Sequence, residues 1–553
     1  MSPFDLPLKV LKTLPKPADV SRLLAESAEF ANAIGSSVGT ELKNRIQRRV
    51  HAAEKRDLWA SDERVCGLQL GDVGPSSALL WVRLPCAGSL YAEWSLVANF
   101  DDCTRIDMPA ALDSTDYTAR VSLADLPAQS TIYLRVVAQL MESTPPEPWS
   151  RSTAFRTAPL AGRKIRFAWS ADVGGQGFGI NPQQGGMPIF KALADADLDF
   201  FVHCGDTVYA DHPVAAVFKD ERGAEWQSIV TASKSKAAET LAEFRGNYRY
   251  NWLDQGFQAF CARVPQVVIW DDHEVTNNWS PSFDIQNDKR YANKNLELLS
   301  AHASRAFREY MPVPVDGFDG AGQLYRVVPY GPTLDLFVID MQSYRGPNCH
   351  NLCADANEDD ETNFLGQKQV AWLLAALEKS TAAWKVVVAG MPLGVNVPDG
   401  VDAQGRVKWQ GVANGDDGPP KGREIEIAGL LKGIKDRGLR NIVWLCADVH
   451  YTAAHYYDPA KAAFSDFEPF WEFVSGPMHS GSYGPFSADG TFGLQVHYSK
   501  ASPIRGASPA AGYQFYGEVE IDPDTLGMEV TLRDIQGHKL FVQAIAHSGA
   551  EQG

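Results

Sequence analysis

The stretch Trp270-Asp271-Asp272-His273-Glu274 directly follows the apolar run Val264 to Ile269. Two neighbouring carboxylates and an imidazole at the end of a buried strand are costly to place there unless a metal ion or a substrate compensates their charge. The stretch therefore predicts one edge of an active site. The alternative is a surface turn in which Asp271 or Asp272 caps a following helix, and this stretch alone does not separate the two interpretations.

The same arrangement recurs along the chain, because several apolar runs of strand length end on side chains that can bind metal, while one further run ends at a glycine. These runs and their ends are Ile165 to Trp169 before Ser170-Ala171-Asp172, Leu198 to Val202 before His203-Cys204-Gly205-Asp206, Leu334 to Ile339 before Asp340, Lys385 to Ala389 before Gly390, and Asn441 to Leu445 before Cys446-Ala447-Asp448-Val449-His450. Helical stretches separate several runs, for example Met187 to Ala196, Ala237 to Phe260 and Gln367 to Leu377. The pattern predicts a central sheet that is buried on both faces, with ligands at the ends of its strands.

Each acidic residue on its own could cap a helix, but repeated strand ends in Asp or His are not readily accidental. In one cleft these carboxylates would repel each other, and each would shift toward its neutral form unless cations were bound. The candidate ligands are mostly carboxylates, which favours hard cations over thiophilic ones. Tyr209 lies three residues after Asp206, and as a phenolate it would need a strongly Lewis-acidic ion such as ferric iron.

Composition sets the broad class. A chain of 553 residues with 45% hydrophobic residues is long enough for about two to four folding units. The formal net charge of -17 argues against a nucleic-acid binder and for a soluble acidic protein. No segment approaches the roughly 18 uninterrupted apolar residues that a membrane span needs.

The first residues contain Lys9 and Lys12 but no apolar region behind them, and the twin arginine Arg48-Arg49 is followed by charged residues. Neither pattern is a secretory signal. We therefore expect a soluble protein, either cytoplasmic, or periplasmic or secreted if a signal was removed before residue 1. The sequence does not indicate an oligomeric state.

Eight cysteines in a chain of this length do not form a disulfide scaffold. Cys349 and Cys353 flank His350, which leaves a local metal clip and a strained loop disulfide as alternatives.

Changes in periodicity divide the chain. Residues 1–62 have a helical pattern and predict an amphipathic N-terminal extension. Residues 65–159 alternate in short runs separated by Gly, Pro, Asp and Ser, which is typical of a small β-sandwich of fibronectin type III or immunoglobulin character. Residues 163–545 contain the runs that end in ligands and predict the catalytic domain. Near the end, 515–521 and 528–532 alternate again and predict a hairpin that completes a second sheet against the first.

Taken together, the motifs resemble the PhoD-like alkaline phosphatases within the calcineurin-like metallophosphoesterases. The residues that carry the resemblance are Asp172, Gly205-Asp206 with Tyr209-Ala210-Asp211, Asp271-Asp272-His273-Glu274, Asp340 to Gly346, Asp448-Val449-His450 and Ser475-Gly476-Pro477. The likeness runs from about Val65 to near the C-terminus. It implies an α/β fold, a two-sheet metallophosphoesterase sandwich flanked by helices, with the small fibronectin/immunoglobulin-like β-sandwich before it.

The first strand end departs from part of the family. Some members place a cysteine ligand there, within Ser-Cys-Gln, whereas this chain has Ser170-Ala171-Asp172. A branch with Ser-Gly-Asp and a following Gly-Gln-Gly is more similar, since Gly175-Gln176-Gly177 stands here. We therefore expect a carboxylate ligand at Asp172, and the identity of its metal stays open.

The resemblance implies a metal site with two or more ions, Fe³⁺ with Ca²⁺ being favoured and Zn²⁺, Mn²⁺ or Mg²⁺ being alternatives. Asp206 would bridge the ions. The other implied ligands are Asp172, Tyr209 and His450 on the more acidic ion, and Asp272 and Asp448 on the others. Asp271 and Glu274 would support these ligands.

In the implied mechanism, metal-activated water attacks phosphorus in line with the leaving oxygen. His273 would stabilise the transition state or protonate the leaving group. Arg345 would either bind phosphoryl oxygens or hold its own loop to Asp340. His479 would line the pocket, or have no role there.

We thus expect a metal-dependent phosphoric ester hydrolase, similar to alkaline phosphatase D, that acts on small-molecule phosphate esters. A phosphodiesterase or phosphotriesterase is an alternative, because the same metals serve a pocket that admits further ester substituents. A non-catalytic, metal-stabilised binding protein is the remote alternative.

Overall fold

The computed structural model describes residues 58–142, 148–314, 323–354 and 362–549. The chain divides into two compact units, residues 1–60 and 61–553. The predicted helical extension over 1–62 lies outside the described residues up to residue 57.

Unit 61–553 contains 24 strands and six α-helices within the described ranges. The strands are β1 Gly67–Gly71, β2 Ala78–Arg83, β3 Gly88–Ser95, β4 Thr104–Asp107, β5 Thr118–Leu123, β6 Thr131–Leu140, β7 Pro148–Arg156, β8 Ile165–Ser170, β9 Phe200–His203, β10 Val217–Lys219, β11 Glu225–Gln227, β12 Gln266–Val268, β13 Arg326–Tyr330, β14 Leu334–Val338, β15 Trp384–Val388, β16 Pro398–Val401, β17 Val407–Trp409, β18 Ile442–Cys446, β19 Thr452–Tyr457, β20 Phe470–Val474, β21 Leu494–Lys500, β22 Phe515–Ile521, β23 Met528–Asp534 and β24 Lys539–Ile545. The helices are α1 Ile189–Asp195, α2 Leu241–Asn251, α3 Gln255–Arg263, α4 Leu296–Tyr310, α5 Gln367–Lys379 and α6 Arg423–Asp436.

Two large sheets form the body of this unit. The first, called sheet A, has the strand order β24-β23-β22-β8-β9-β12-β1-β2-β5, and the second, sheet B, has the order β13-β14-β15-β18-β20-β19-β21. In sheet A, β8, β9, β12 and β1 are parallel neighbours; in sheet B, β14, β15, β18 and β20 are. Carboxyl ends of parallel strands meet at one edge of a sheet, and this edge receives the ligands that the sequence predicted.

The alternation of side chains shows why the strands of sheet B are apolar throughout. Leu336 and Val338 belong to the hydrophobic cluster that also contains residues of sheet A, whereas Phe337 and Ile339 belong to a separate cluster with the inner faces of α5 and α6. Successive residues of a strand point to opposite faces, so both faces of β14 are buried, as in sheets covered on both sides.

One tight contact illustrates how the hairpin β22-β23 packs. Gly517 pairs with Trp169 of β8, and a Cβ at Gly517 would lie about 2.0 Å from the indole ring. The same indole Nε1 donates to the carbonyl of Cys446 in sheet B at 3.2 Å. Glycine is required at position 517 because the Trp169 ring occupies the space of a side chain.

Residues 65–159 form two sheets that face each other. Strands β1, β2 and β5 lie at the edge of sheet A, and the four-stranded sheet β4-β3-β6-β7 covers them across a cluster that contains Leu68, Leu80, Leu134 and Val136. The sandwich predicted from the alternation is present, and one of its sheets is continuous with sheet A through the β1-β12 pairing. Its fibronectin or immunoglobulin type stays a prediction.

Four expectations need correction. The ligand-bearing strands do not form the one central sheet that their pattern predicted, but belong to two sheets, as the resemblance implied. The C-terminal hairpin extends sheet A beside β8 and does not complete the opposite sheet. The helix expected over 237–260 is two helices, because the Asp254 side chain caps a new helix by accepting from the backbone N–H of Phe257. Cys349 and Cys353 are free thiols, so the loop disulfide is not formed.

Candidate metal centre

The predicted ligands meet where the parallel strands of both sheets end. Asp172 follows β8, Asp206 follows β9 and Asp272 follows β12, all in sheet A, whereas Asp448 and His450 follow β18 in sheet B. The ligand atoms form overlapping groups, in each of which all atoms lie within 4.8 Å of one another. These groups are Asp172, Asp206 and His450; Asp206, Asp272 and His273; and Asp271, Asp272 and Asp448.

Asp206 and Asp272 each belong to two of these groups. Asp206 lies between Asp172 with His450 on one side and Asp272 on the other, and Asp272 links Asp206 to Asp271 and Asp448. A further group of Asp211, His212 and His273 lies beside them.

Four of the predicted ligands have left-handed backbone conformations. The φ angles are +70° at Asp172, +50° at Asp206, +61° at Asp448 and +59° at His450. Such conformations are uncommon for residues with a side chain, and they persist where the surrounding structure enforces them. These four residues lie at three strand ends, after β8, β9 and β18, where their ligand atoms come close together.

Two glycines make the close approach feasible. A Cβ at Gly476, after β20, would lie about 2.3 Å from Asp172 Oδ2, and a Cβ at Gly205 would lie about 2.5 Å from Cβ of Asp271. Gly205 also has a φ of +116°, which residues with side chains rarely adopt. The sequence pairs Gly205-Asp206 and Ser475-Gly476 thus have a steric explanation.

The carboxylates fit bound cations because several of their oxygens have no protein partner. Both Oδ atoms of Asp172, Oδ2 of Asp206 and Oδ1 of Asp272 are buried and accept no hydrogen bond from the described residues. Buried polar atoms are nearly always satisfied in folded proteins, and unpaired buried carboxylates are costly. A set of hard cations would satisfy these oxygens and neutralise their charge.

The electrostatics are consistent with that requirement. Burial, and then repulsion from neighbouring carboxylates, raise the pKa of Asp172 and of Asp206 well above the usual range. Burial and the charge of Asp272 raise the pKa of Asp448 to about 7. Cations at the centre would oppose these shifts and keep the carboxylates ionised near neutral pH.

Tyr209 and His450 contact each other through their polar atoms. The Tyr209 hydroxyl lies 2.8 Å from His450 Nε2, which is also 3.6 Å from Asp172 Oδ1. His450 Nδ1 donates to the carbonyl of Gly481 at 2.6 Å, and burial lowers the pKa of His450 to about 3. The imidazole is therefore neutral with its Nε2 lone pair directed at Tyr209 and Asp172, which is the form that binds metal.

The opening stretch combines both interpretations that the sequence allowed. Asp271 does cap a turn, a 3₁₀ turn over Asp272–Glu274, but that turn is buried. Glu274 accepts from the backbone N–H groups of Asp206 at 3.1 Å, Thr207 at 2.6 Å and Asp271 at 2.7 Å. Asp271 and Glu274 thus tie the strand ends of β9 and β12 together, while Asp271 also lies beside Asp272 and Asp448.

His273 is oriented by a residue for which the sequence analysis assigned no role. Its Nδ1 lies 2.7 Å from Asp211 Oδ1, and Asp211 Oδ2 accepts from Arg290 at 2.6 Å. Burial alone would raise the pKa of Asp211, but His273 and His212 hold it well below its usual value. Burial would lower the pKa of His273, but Asp211 and Asp272 raise it to about 9. The signal was present in the sequence as Tyr209-Ala210-Asp211.

Arg345 is fully buried at the same edge. It donates to Gln342 Oε1 at 3.3 Å, to the carbonyl of Gln410 at 2.5 Å and to Asn348 Oδ1, and its Nε has no partner among the described residues. Asp340 is not among these acceptors, so no described contact supports the interpretation that Arg345 holds its loop to Asp340.

Asp340 is instead satisfied by other groups. It accepts from the Trp270 indole at 3.2 Å, from two backbone N–H groups of its own loop and from the Ser343 hydroxyl at 2.5 Å. His479 Nε2 lies 3.0 Å from the carbonyl of Gly179, and burial lowers its pKa to about 4. Its ring holds the 175–179 loop, and its backbone N–H donates to the carbonyl of Asp172 at 2.9 Å.

A family model for PhoD-like phosphatases matches residues 167–532, and a model for the N-terminal domain of PhoD-like phosphatases matches residues 51–159. The chain belongs to the PhoD-like phosphatase family. The resemblance that the motifs suggested is confirmed, and with it a metal-dependent phosphoric ester hydrolase.

Individual relatives agree with this membership. Alkaline phosphatase D of Bacillus subtilis (strain 168) is 26% identical over 486 residues, which cover 82% of this chain and 76% of that protein. A solved structure of PhoD superimposes with a TM-score of 0.62 at 21% identity and covers 88% of this chain and 93% of the other. The purple acid phosphatase PPD1 from yellow lupin seeds has a TM-score of 0.52 at 12% identity, with coverages of 87% and 74%.

These likenesses confirm a metallophosphoesterase-like α/β fold for this phosphatase. Among the described residues, no helix combines the length and the apolar character that a membrane span requires.

Proposed function

We propose that this phosphatase hydrolyses small-molecule phosphoric monoesters at the edge where sheets A and B meet, as the name of its Bacillus relative suggests. The observation that carries the proposal is the set of buried, unpaired carboxylate oxygens of Asp172, Asp206 and Asp272, with His273 and Arg345 beside them. Unpaired acceptors require cations, and a buried guanidinium with a free N–H suits an anionic phosphoryl group.

The ligand assignment follows the grouping. Asp206 would bridge the ions, with Asp172, Tyr209 and His450 on one side, and Asp272 and Asp448 on the other. Burial and the charge of Asp206 raise the pKa of Tyr209 well above its usual value, so only a strongly Lewis-acidic ion would hold it as a phenolate. This favours Fe³⁺ at the tyrosine side and Ca²⁺ at the carboxylate side, with Zn²⁺, Mn²⁺ and Mg²⁺ as alternatives.

When bound, such ions lower the pKa of a water nucleophile and neutralise charge on the phosphoryl oxygens. The chain's own residues supply the rest. Arg345 Nε has no hydrogen-bond partner among the described residues, so its N–H could donate to a phosphoryl oxygen. His273 can donate a proton to the departing alkoxide, because Asp211, 2.7 Å from its Nδ1, favours the protonated ring.

An Asp206→Asn variant tests the proposal. We expect the protein purified without added metal to contain two or more ions by elemental analysis, and the variant to lose metal and phosphomonoesterase turnover while it remains folded. Asp254→Asn is a matched control, since Asp254 is a buried carboxylate that caps α3 away from the centre, and we expect it to keep its metal. Unchanged metal content in Asp206→Asn would contradict the assignment.

Rates measured on the same wild-type protein distinguish a monoesterase from a diesterase. We expect an aryl phosphate to be hydrolysed faster than the corresponding diester. A higher kcat/KM for the diester would show that the phosphodiesterase alternative is the better description.

A further inference from the structure

Arg423 occupies a place that is unfavourable for a cation. It is the first residue of α6 and is fully buried. The N-terminus of a helix carries a partial positive charge, so a basic side chain is least favoured there. The preceding residue, Gly422, provides no side-chain cap. A buried guanidinium group at this position needs hydrogen-bond acceptors that compensate for its loss of hydration.

Those contacts join two loops. Arg423 Nη1 donates to the carbonyl oxygens of residues 409–411 at distances between 2.8 and 3.2 Å. Its Nη2 donates to the carbonyl oxygens of residues 346–347 at 3.0 and 2.8 Å, and lies 3.4 Å from Asn348 Oδ1. One guanidinium group therefore binds five backbone carbonyls from two segments that are separated by more than sixty residues.

Both segments contact the metal centre. The carbonyl of Gln410 accepts from Arg423 at 2.8 Å and also from Arg345 at 2.5 Å, while the Gln410 side chain donates to Asp448 Oδ1 at 3.2 Å. Asn348 Oδ1 likewise accepts from Arg345 and lies within reach of Arg423. Two of the three groups that accept hydrogen bonds from Arg345, the Gln410 carbonyl and Asn348 Oδ1, thus also accept from Arg423.

The two guanidinium groups also share an aromatic ring. The Arg345 carbon Cζ lies 5.3 Å from the centroid of Phe364, and that of Arg423 lies 5.5 Å from it. Two like charges this close repel each other, and the shared carbonyl and ring faces offset that repulsion. The arrangement leaves Arg345 Nε without a described partner, and the guanidinium group interacts electrostatically with Asp271, Asp272 and Asp448.

We propose that Arg423 is a positioning residue for phosphoryl binding. By holding residues 346–348 and 409–411 together, it presents Arg345 to the phosphoryl group and Gln410 to Asp448. The inference rests on the proposed function, because it requires that Arg345 binds the phosphoryl oxygens.

A double-mutant cycle with inorganic phosphate as a competitive inhibitor tests the proposal. The variants are Arg345→Met, Arg423→Met and the double variant, all at saturating added metal, with metal content measured in each. We expect Arg345→Met to weaken phosphate inhibition about tenfold or more, as for the loss of a charged hydrogen bond. Arg423→Met should weaken it to a similar extent, and the double variant no further than Arg345→Met alone.

The non-additive result distinguishes positioning from a general structural role, because two independent losses would multiply. Arg437→Met changes the other end of α6 and controls for damage to the helix. We expect phosphate to inhibit this variant as strongly as it inhibits the wild type. If Arg423→Met does not fold, Asn348→Ala replaces it in the cycle. The Asn348 side chain is half-buried, and its Oδ1 accepts hydrogen bonds from both Arg345 and Arg423.

The outcomes are separable. Phosphate inhibition unchanged in Arg345→Met would refute the proposed role of Arg345 itself. A loss in Arg345→Met with none in Arg423→Met, or with multiplied losses in the double variant, would overturn the inference about Arg423 and leave the proposed function standing.

Discussion

The two histidines of this centre, His273 and His450, are each oriented by an acceptor at Nδ1. His450 is fixed through Nδ1 by the Gly481 carbonyl, which presents Nε2 to Tyr209. His273 is fixed through Nδ1 by Asp211, and the ring lies 4.1 Å from that of Tyr209. Because Asp211 is an ionised acceptor, Nδ1 of His273 carries a proton, and Nε2 remains for the leaving group.

Replacement of His273 by asparagine tests the proton-donor role. We expect His273→Asn to keep its metals and to lose turnover, by about 10²- to 10⁴-fold for an alkyl phosphate, as for removal of a general acid. The loss should be smaller for 4-nitrophenyl phosphate, because its leaving group needs no proton. Steady-state kinetics with both esters measure the difference.

His212→Gln is the matched comparison, since His212 Nδ1 lies 3.2 Å from the same Asp211 oxygen but the side chain is one-third exposed. We expect it to retain the ratio of rates for the two esters. An equal loss for both esters in His273→Asn would show that this residue does not act as the acid.

At the scale of residues, the sequence predicted the candidate ligands because each follows an apolar strand. Gln410, Asn348 and Arg423 were not predicted, since they lie in loops or at a helix start whose contacts span more than sixty residues. Periodicity carries no information about such contacts.

The positions of several strands were predictable from the sequence, but the pairing of those strands was not. The expected strand over 165–169 is observed as Ile165–Ser170, and that over 334–339 as Leu334–Val338. The resemblance implied two sheets, but which strand belongs to which sheet was not predicted, because strand pairing depends on tertiary contacts and not on the pattern within a strand. The break between α2 and α3 was missed because Asp254 was not recognised as a cap.

Helix α6 begins with a second buried charge, Glu424. Its Oε2 accepts from the Asn414 side chain at 2.7 Å and from the Lys421 backbone at 3.1 Å, while Oε1 has no partner among the described residues. Burial, and then the charge of Asp489, raise the pKa of Glu424 from 4.5 to about 8. The folded state therefore binds a proton that the unfolded chain releases above pH 4.5.

The sign of the pH dependence follows from that difference. Stability from Glu424 is fully present below about pH 4.5 and is lost as the pH rises to about 8. We expect Glu424→Gln to reduce the fall in unfolding free energy between pH 5 and pH 8 by about 1 kcal/mol or more. Denaturant unfolding at both values measures it. Glu378 lies on the exposed face of α5, and Glu378→Gln should leave the decrease in unfolding free energy between pH 5 and pH 8 unchanged. A larger decrease in Glu424→Gln than in the wild type would contradict the prediction.

At the scale of the whole molecule, the centre joins the two sheets. Sheet A contributes Asp172, Asp206 and Asp272, and sheet B contributes Asp448 and His450. If cations bind there as proposed, they connect the carboxyl edges of both sheets, so their removal affects the cohesion of the entire unit and not one loop.

Chelation therefore changes both the stability and its pH dependence. Without cations, the folded state keeps protons on carboxyl groups whose pKa values are raised, to about 7 at Asp448 and well above the usual range at Asp172 and Asp206. That contribution is lost as the pH rises through these values. Metal binding has the opposite dependence, because ligands must be deprotonated before they coordinate.

We expect the Tm of the chelated protein to fall between pH 5.5 and pH 8.5, and the Tm of the metal-loaded protein to lie above it by a margin that grows with pH. Calorimetry on both forms across this range measures the margin. The contribution of Glu424 is common to both forms and cancels in the difference. Asp206→Asn should show a much smaller margin, because it lacks the bridging carboxylate. A margin that shrinks as the pH rises would mean that the buried carboxylates are not the groups that bind the metal.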